Sequence, residues 1–236
     1  MGSDLSVEGV SARRGGLTVV RDVSLRCPAG QVTVLLGANG AGKSTLLDAI
    51  SGVIPVAGGR VTLDGEPIHA LPRDRRAKRG LSYVEQGRTA FGQLTVHENL
   101  TVVAEAQGDI DSAYDYFPEL VKRRSVLAQD LSGGEQQMLV LARSLVRRPS
   151  VLMIDEMSQG LAPVIVKRLL PVVQKAAEQG IAVLLVEQFA NLALQIGQHA
   201  YVMTVGEIVL QGACRDLLAR PEDVRAAYIM GHKTTV

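Results

Sequence analysis

Gly37-Ala38-Asn39-Gly40-Ala41-Gly42-Lys43-Ser44-Thr45 is the stretch on which the fold turns. It reads as Gly, four residues, then Gly-Lys-Ser, the pattern of a phosphate-binding loop. Glycines let the backbone wrap so that successive N–H groups face one anion. Lys43 is placed to reach the β- and γ-phosphates of a nucleotide, and the Ser44 hydroxyl to hold Mg²⁺. Gln31–Leu36 before the loop reads as a buried strand, and Leu46–Ile50 after it as a helix whose positive dipole end also faces the anion. Strand, loop and helix in that order are the context the pattern requires.

Working outward, Leu5–Ala12 and Val19–Cys27 read as strands, with turns at Gly15-Gly16 and Pro28-Ala29-Gly30. Gly58-Gly59 and Asp64-Gly65 bracket a short strand at Arg60–Leu63. Pro72–Arg79 is a basic helix candidate, and Leu81–Val84 a strand running into Glu85-Gln86-Gly87-Arg88. Thr95 and Glu98 form a capping box that opens a helix expected to reach about Gln107. Asp109–Arg124 is polar and helical, broken at Pro118. Gly134–Arg147 and Ala162–Gln179 are helices, and Ser150–Asp155 and Ile181–Val186 buried strands. Ala190–Ile196 is a helix, Ala200–Leu210 a hairpin about Gly206-Glu207, and two short helices lead to a frayed tail at Met230–Val236.

Composition narrows the function. The chain has 236 residues, 47% of them hydrophobic and few aromatic, enough for a sizeable aliphatic core. A net charge of +1 argues against a nucleic-acid binder driven by bulk charge. Cys27 and Cys214 lack metal-ligand spacing and fit buried structural roles. No apolar run approaches the ~20 residues needed to cross a bilayer.

Two further stretches carry chemistry. Val151-Leu-Met-Ile154-Asp155-Glu156 is an apolar run ending in two acids, as in a strand buried on both faces whose C-terminus lies beside a phosphate loop. Asp155 is placed to hold Mg²⁺, and Glu156 to polarise the attacking water as general base. Leu131-Ser132-Gly133-Gly134-Glu135-Gln136-Gln137 puts a hydroxyl and exposed N–H groups at a helix start, a second anion-binding arrangement.

The phosphate loop, the Leu-Ser-Gly-Gly-Glu-Gln-Gln stretch and the hydrophobic-Asp-Glu strand, in this order, resemble the ABC ATPase family, over nearly the whole chain. The resemblance implies an α/β P-loop NTPase fold of ABC ATPase type. Its features are a mixed core sheet with flanking helices, an N-terminal antiparallel β-subdomain and a small helical subdomain. One domain would span residues 1–236, with the helical signature subdomain at about 87–148. The implied cofactors are ATP and Mg²⁺. The implied assembly is a dimer in which Ser132, Gly133, Gly134 and Glu135 of one subunit close over the nucleotide held by residues 37–45 of the other. Gln86 matches a glutamine that contacts Mg²⁺ and the attacking water. Gln188, after Val186-Glu187, stands where the family usually has a His that touches the γ-phosphate. Arg14 stands where the family usually has an aromatic that stacks on adenine; it either stacks in its place or is solvated. Leu161 replaces an Asp common in the family, and Met157 a Pro.

Finer matches lie in Gly37-Ala-Asn-Gly-Ala-Gly-Lys43, Leu94-Thr-Val-x-Glu98-Asn-Leu100, Ser132-Gly-Gly-Glu-Gln-Gln-Met-Leu139, Gly160-Leu-Ala-Pro163, Val186-Glu-Gln188 and the Val224-Arg-x-Ala-Tyr228 tail. They resemble the smaller ATP-binding subunit of branched-chain amino-acid importers, or of the similar urea and short-amide importers. That implies ATP hydrolysis coupled to transport at the cytoplasmic face of a membrane. The implied partners are a second ATPase subunit, like or unlike, transmembrane permease subunits docked near Arg88–Leu94 and Val96–Gln129, and, indirectly, a periplasmic or lipid-anchored solute-binding protein. Nucleic acid is not among them. Two alternatives stand beside this: a regulatory nucleotide-binding subunit with little hydrolysis, which Arg14 and Gln188 would fit, and a soluble ABC ATPase outside transport. The latter lacks support, because the chain has neither a long coiled coil nor a second cassette.

Overall fold

The computed structural model describes residues 4–87 and 89–230. Two long antiparallel strands, β1 (Leu5–Arg14) and β2 (Leu17–Cys27), meet at Gly15-Gly16. β3 (Val32–Leu36) enters the phosphate loop and α1 (Lys43–Ser51) leaves it. β4 (Val56–Leu63) returns beside β1, and β5 (Glu66–Pro67) completes an antiparallel sheet of order β2-β1-β4-β5. α2 (Arg73–Lys78) leads to β6 (Leu81–Val84). A helical stretch follows, with α3 (Val96–Thr101), α4 (Gln107–Tyr116), 3-10 turns at Pro118–Arg123 and Ala128–Asp130, and α5 (Gly133–Val146). Then come β7 (Val151–Asp155), α6 (Pro163–Glu178), β8 (Ala182–Glu187), α7 (Ala190–Ile196), β9 (His199–Thr204), β10 (Glu207–Ala213), α8 (Cys214–Leu218) and α9 (Pro221–Met230). The second sheet has the order β10-β9-β3-β8-β7-β6 and is parallel except at β10.

The central strands β3, β7 and β8 are apolar runs because both faces are covered. Alternate residues serve two cores. Val34, Leu36, Leu152, Ile154, Val183 and Leu185 pack with α5, α6 and α7. Leu35, Val151, Met153, Leu184 and Val186 face the four-stranded sheet, with Leu46, Leu47 and Ile50 of α1 between the two sheets. Every α1 residue except Ser44 is buried, so the helix that follows the phosphate loop is enclosed on all sides. α6 instead shows one apolar stripe, including Val166, Leu169, Val173 and Ala177. Its Pro171 sits on the exposed side, where water can serve the carbonyl the missing N–H leaves free. α6 closes in a Schellman motif, with Gly180 N–H donating to Ala177 O and Ile181 N–H to Ala176 O.

Two local expectations differ. The helix capped by Thr95 ends at Thr101 rather than near Gln107, because the Asp109 carboxylate accepts from the Ala106 N–H and starts α4 afresh. β4 begins at Val56, with Gly58-Gly59 inside the strand rather than before it. A Cβ on Gly59 would lie 2.2 Å from the Gly9 carbonyl oxygen, so this pair admits a close strand approach at an irregularity in the β1–β4 register. The expected frayed tail, beyond Met230, lies outside the described residues, as does Arg88. Cys27 and Cys214 are buried free thiols. Among the described residues no helix is long and apolar enough to cross a membrane.

Candidate nucleotide site

The phosphate loop is shaped by bonds from three directions. Ala41 N–H donates to Ala38 O and Leu46 N–H to Gly42 O, which closes the turn into α1. Gly42 has φ 104, and a Cβ there would meet Val19 O at 3.2 Å, so a side chain is excluded on both counts. The β9–β10 turn reaches back to the loop, with Gly206 N–H donating to Ala41 O and Arg21 N–H to Gly206 O. The loop is thereby pinned to β2 and to the hairpin by bonds within the protein alone.

Lys43 Nζ donates to Gly37 O (2.8 Å) and Ala38 O (3.1 Å) and lies 3.0 Å from Glu156 Oε1. Glu156 follows the last residue of β7, takes a left-handed backbone with φ 47, and donates its N–H to Val186 O. A non-glycine residue is strained there, as residues held at functional positions often are. Gln86 Nε2 donates to Glu156 Oε2 (3.2 Å) and Gln159 Oε1 (2.9 Å), which leaves its amide oxygen for another partner. Arg14, Lys43, Ser44, Thr45, Gln86 and Glu156 share the lining of a cleft of roughly 400 Å³. A larger cleft of roughly 560 Å³ near Tyr116 and Lys175 shares none of these residues.

Asp155 lies beneath this cleft and is 1% exposed. Among the described residues, its Oδ1 is the one buried side-chain polar atom without a hydrogen-bond partner. Burial raises its pKa above the ordinary value, the Ser44 hydroxyl facing the carboxylate opposes the shift, and the Glu156 charge adds to it. A buried, unpartnered carboxylate oxygen beside a hydroxyl fits a divalent cation. No cluster of three or more His, Cys, Asp or Glu capable of holding a metal occurs among the described residues. Mg²⁺ is usually bound through one or two carboxylates plus substrate phosphates, and the Asp155 carboxylate beside the Ser44 hydroxyl is of that kind.

Arg14 is neither simply solvated nor free. Its guanidinium pairs with Asp48 on α1 while its side chain stays 55% exposed at the rim of the cleft. Asp48 was not legible as a site residue. Tyr83 was missed too: its hydroxyl lies 3.4 Å from Asp48 Oδ1 and 3.5 Å from Asp155 Oδ2. Buried Glu187 accepts from both the N–H (3.2 Å) and the hydroxyl (2.6 Å) of Ser158, tying β8 to the loop after β7. Gln188 is exposed and is not among the residues lining the Lys43 cleft.

Ser132, Gly133, Gly134 and Glu135 do not line that cleft either. They form the start of α5. Ser132 Oγ accepts from Glu135 N–H, and Glu135 Oε2 accepts from Ser132 N–H, a reciprocal cap. The Glu135 carboxylate also pairs with Arg123 at 2.7 Å. Those contacts hold Glu135 to its own chain, while Ser132 stays exposed.

The model of the ABC transporter family matches residues 20–159, from β2 through the loop after β7. The chain belongs to the ABC transporter family. It is 38% identical to the high-affinity branched-chain amino acid transport ATP-binding protein BraG of Pseudomonas aeruginosa, over 96% of this chain and 100% of the relative. It is 30% identical to the lipopolysaccharide export system ATP-binding protein LptB of Escherichia coli K12, over 95% of this chain and 96% of the relative. A solved structure of the ADP conformation of an ATP-binding cassette of an ABC transporter superposes with a TM-score of 0.85 at 24% identity, over 97% of this chain and 99% of the other. The cassette is an ATP-binding subunit and an ATPase, with two sheets and flanking helices arranged as in other ABC cassettes.

Proposed function

We propose that this ATPase subunit powers an importer of branched-chain amino acids or a related small polar solute. The observation that carries this reading is the 38% identity to BraG across the full length of that relative. The lower identity to an export-system subunit over a similar span ranks second.

In this reading residues 37–45 would wrap the ATP phosphates, and Ser44, Asp155 and Gln86 would hold Mg²⁺. Bound Mg²⁺ would neutralise charge on the β- and γ-oxygens. Lys43 cannot serve Glu156 and the phosphates equally. As it turns to the phosphates, Glu156 is released to accept a proton from the attacking water, with Gln86 orienting that water. Gln188 donates one hydrogen bond to the γ-phosphate but cannot carry its proton. Arg14, steadied by Asp48, offers a planar guanidinium to the adenine face. Ser132, Gly133 and Gly134 complete the site of a second ATPase subunit, since they stand outside the cleft of their own chain; Glu135 serves mainly by fixing that helix start.

ATP binding then closes the dimer and hydrolysis opens it. The free-energy difference is delivered to a membrane partner with unequal affinity for the two states. That partner docks at a cleft of roughly 300 Å³ between β6 and α5, lined by Thr89, Val103, Arg143 and Arg147. Exposed Phe91, under the Arg143 guanidinium, and exposed Val102 are the apolar contacts. The subunit sits peripherally at the cytoplasmic face.

The test is ATP-driven uptake of leucine, isoleucine and valine into vesicles bearing the assembled transporter, with Glu156→Gln as the control. No uptake of these amino acids, together with uptake of urea or a short amide, moves the solute class; outward transport alone overturns the importer. The second reading, a regulatory subunit with little hydrolysis, has Arg14 and Gln188 in its favour. It predicts turnover unaffected by Glu156→Gln.

A further inference from the structure

Tyr228, on α9, is remote in sequence from the nucleotide site but touches two of its parts. Its hydroxyl donates to the Gln188 carbonyl oxygen at 3.2 Å. The phenol oxygen of Tyr228 also faces the backbone N–H of Gly37, the first residue of the phosphate loop. Gly37 in turn offers its carbonyl to Lys43 Nζ. One phenol therefore bridges the peptide that aims Gln188 and the residue that seats Lys43.

The helix beneath it is held firmly. Val224 and Ala227 are buried in the core, and Thr204 Oγ1 donates to Ala227 O at 2.9 Å. Thr204 ends β9, one residue before the turn whose Gly206 bonds the phosphate loop. Packing alone would be met by a phenylalanine ring. The hydroxyl adds a directed bond that a ring alone lacks, and the partner it takes is the Gln188 carbonyl at the edge of the site. Burial pushes the phenol up to about 12, so it remains a neutral donor at physiological pH.

We infer that Tyr228 is a positioning residue: by holding the Gln188 peptide against Gly37 it sets the direction in which the Gln188 amide meets a terminal phosphate, and α9 thereby tunes the preference for ATP over ADP. This rests on the reading of Gln188 as a γ-phosphate contact. It gives the C-terminal helix a part in nucleotide discrimination that its distance in sequence conceals.

The experiment measures equilibrium binding of labelled ATP and ADP, with Mg²⁺, to the full chain and to Tyr228→Phe, Gln188→Ala and the double variant, with a thermal melt for each. Tyr228→Phe should lower the ATP-to-ADP preference about fivefold, the scale of one hydrogen bond, with the melting temperature little changed. The double variant should lose no more than Gln188→Ala alone, because both act through one contact. A preference kept by Tyr228→Phe while Gln188→Ala reduces it overturns this inference and spares the reading of Gln188. A preference kept by both variants overturns both. A lowered melting temperature with the preference intact, or losses that multiply in the double variant, makes Tyr228 a packing residue and overturns the inference as well.

Discussion

Lys43 Nζ lies 3.0 Å from Glu156 Oε1, with side chains only 3% and 7% exposed. An ammonium and a carboxylate so far from water are each other's solvent. Glu156→Gln keeps the shape and the Gln86 contact but removes the base. ATP turnover should fall by about a hundredfold or more, the range for losing a general base, while ATP still binds. Phosphate release and nucleotide binding, measured on the same preparation, check this.

Removing the other partner has a different signature. Lys43→Ala leaves a buried carboxylate uncompensated, a loss of about 3 kcal/mol in stability, and also abolishes ATP affinity. Adding Glu156→Gln should return most of the stability and none of the affinity. Denaturant melts of the two single variants and the double variant measure this directly.

Asp155 yields a pH prediction. Burial, opposed by Ser44 and reinforced by the Glu156 charge, raises its folded pKa. Just above the ordinary aspartate value, the folded chain therefore holds a proton that the unfolded chain has released. Stability falls as pH rises through that window, and the cost persists above it. Asp155→Asn should raise the melting temperature at neutral pH, by about 2–4 °C for each kcal/mol relieved, while Mg²⁺-dependent hydrolysis is lost. The gain should vanish in acid, where the carboxyl is protonated in both states. Melts across pH with and without MgATP test both halves.

Arg14→Ala strips the cation from Asp48, whose side chain is only 11% exposed. Because Arg14 itself is half exposed, the loss should be modest, about 1 kcal/mol in stability. ATP affinity should drop more than that of inorganic tripolyphosphate, which has no base to stack. Equal losses for the two would place Arg14 on the phosphates instead.

Val102→Asp and Phe91→Asp alter exposed side chains near the cleft between β6 and α5. Basal ATPase activity and melting temperature should hold, while co-purification with the membrane subunits fails. Assembly at wild-type level would move the docking surface elsewhere.

The sequence displayed what is local. The phosphate loop, the acids after the apolar run of β7 and the capping box of Thr95 and Glu98 are each read within a few neighbouring residues, because glycine geometry, strand burial and helix capping act at that range. The missed features join distant positions. Arg14 offered two choices, and the structure supplies a third through Asp48. Tyr83 between Asp48 and Asp155, and Glu187 on Ser158, arise from strand order, which no residue states alone. The start of β4 was misread because Gly58-Gly59 signals a turn unless Gly9 is known to pass beside it. The solute leaves no mark on these residues, because in the proposed reading they hold nucleotide groups only.

The enclosure of α1 between the two sheets assigns the working parts. A helix with eight of its nine residues buried is gripped like an axle in its housing and cannot slide or roll without opening the core it fills between the two sheets. In the proposed cycle the phosphate loop is thus the stationary jaw, and travel falls to the start of α5, where Ser132 is exposed, and to the helical stretch before it. Amide hydrogen exchange should register that division of labour, slowest along Leu46–Ile50 and faster across α3 and α4.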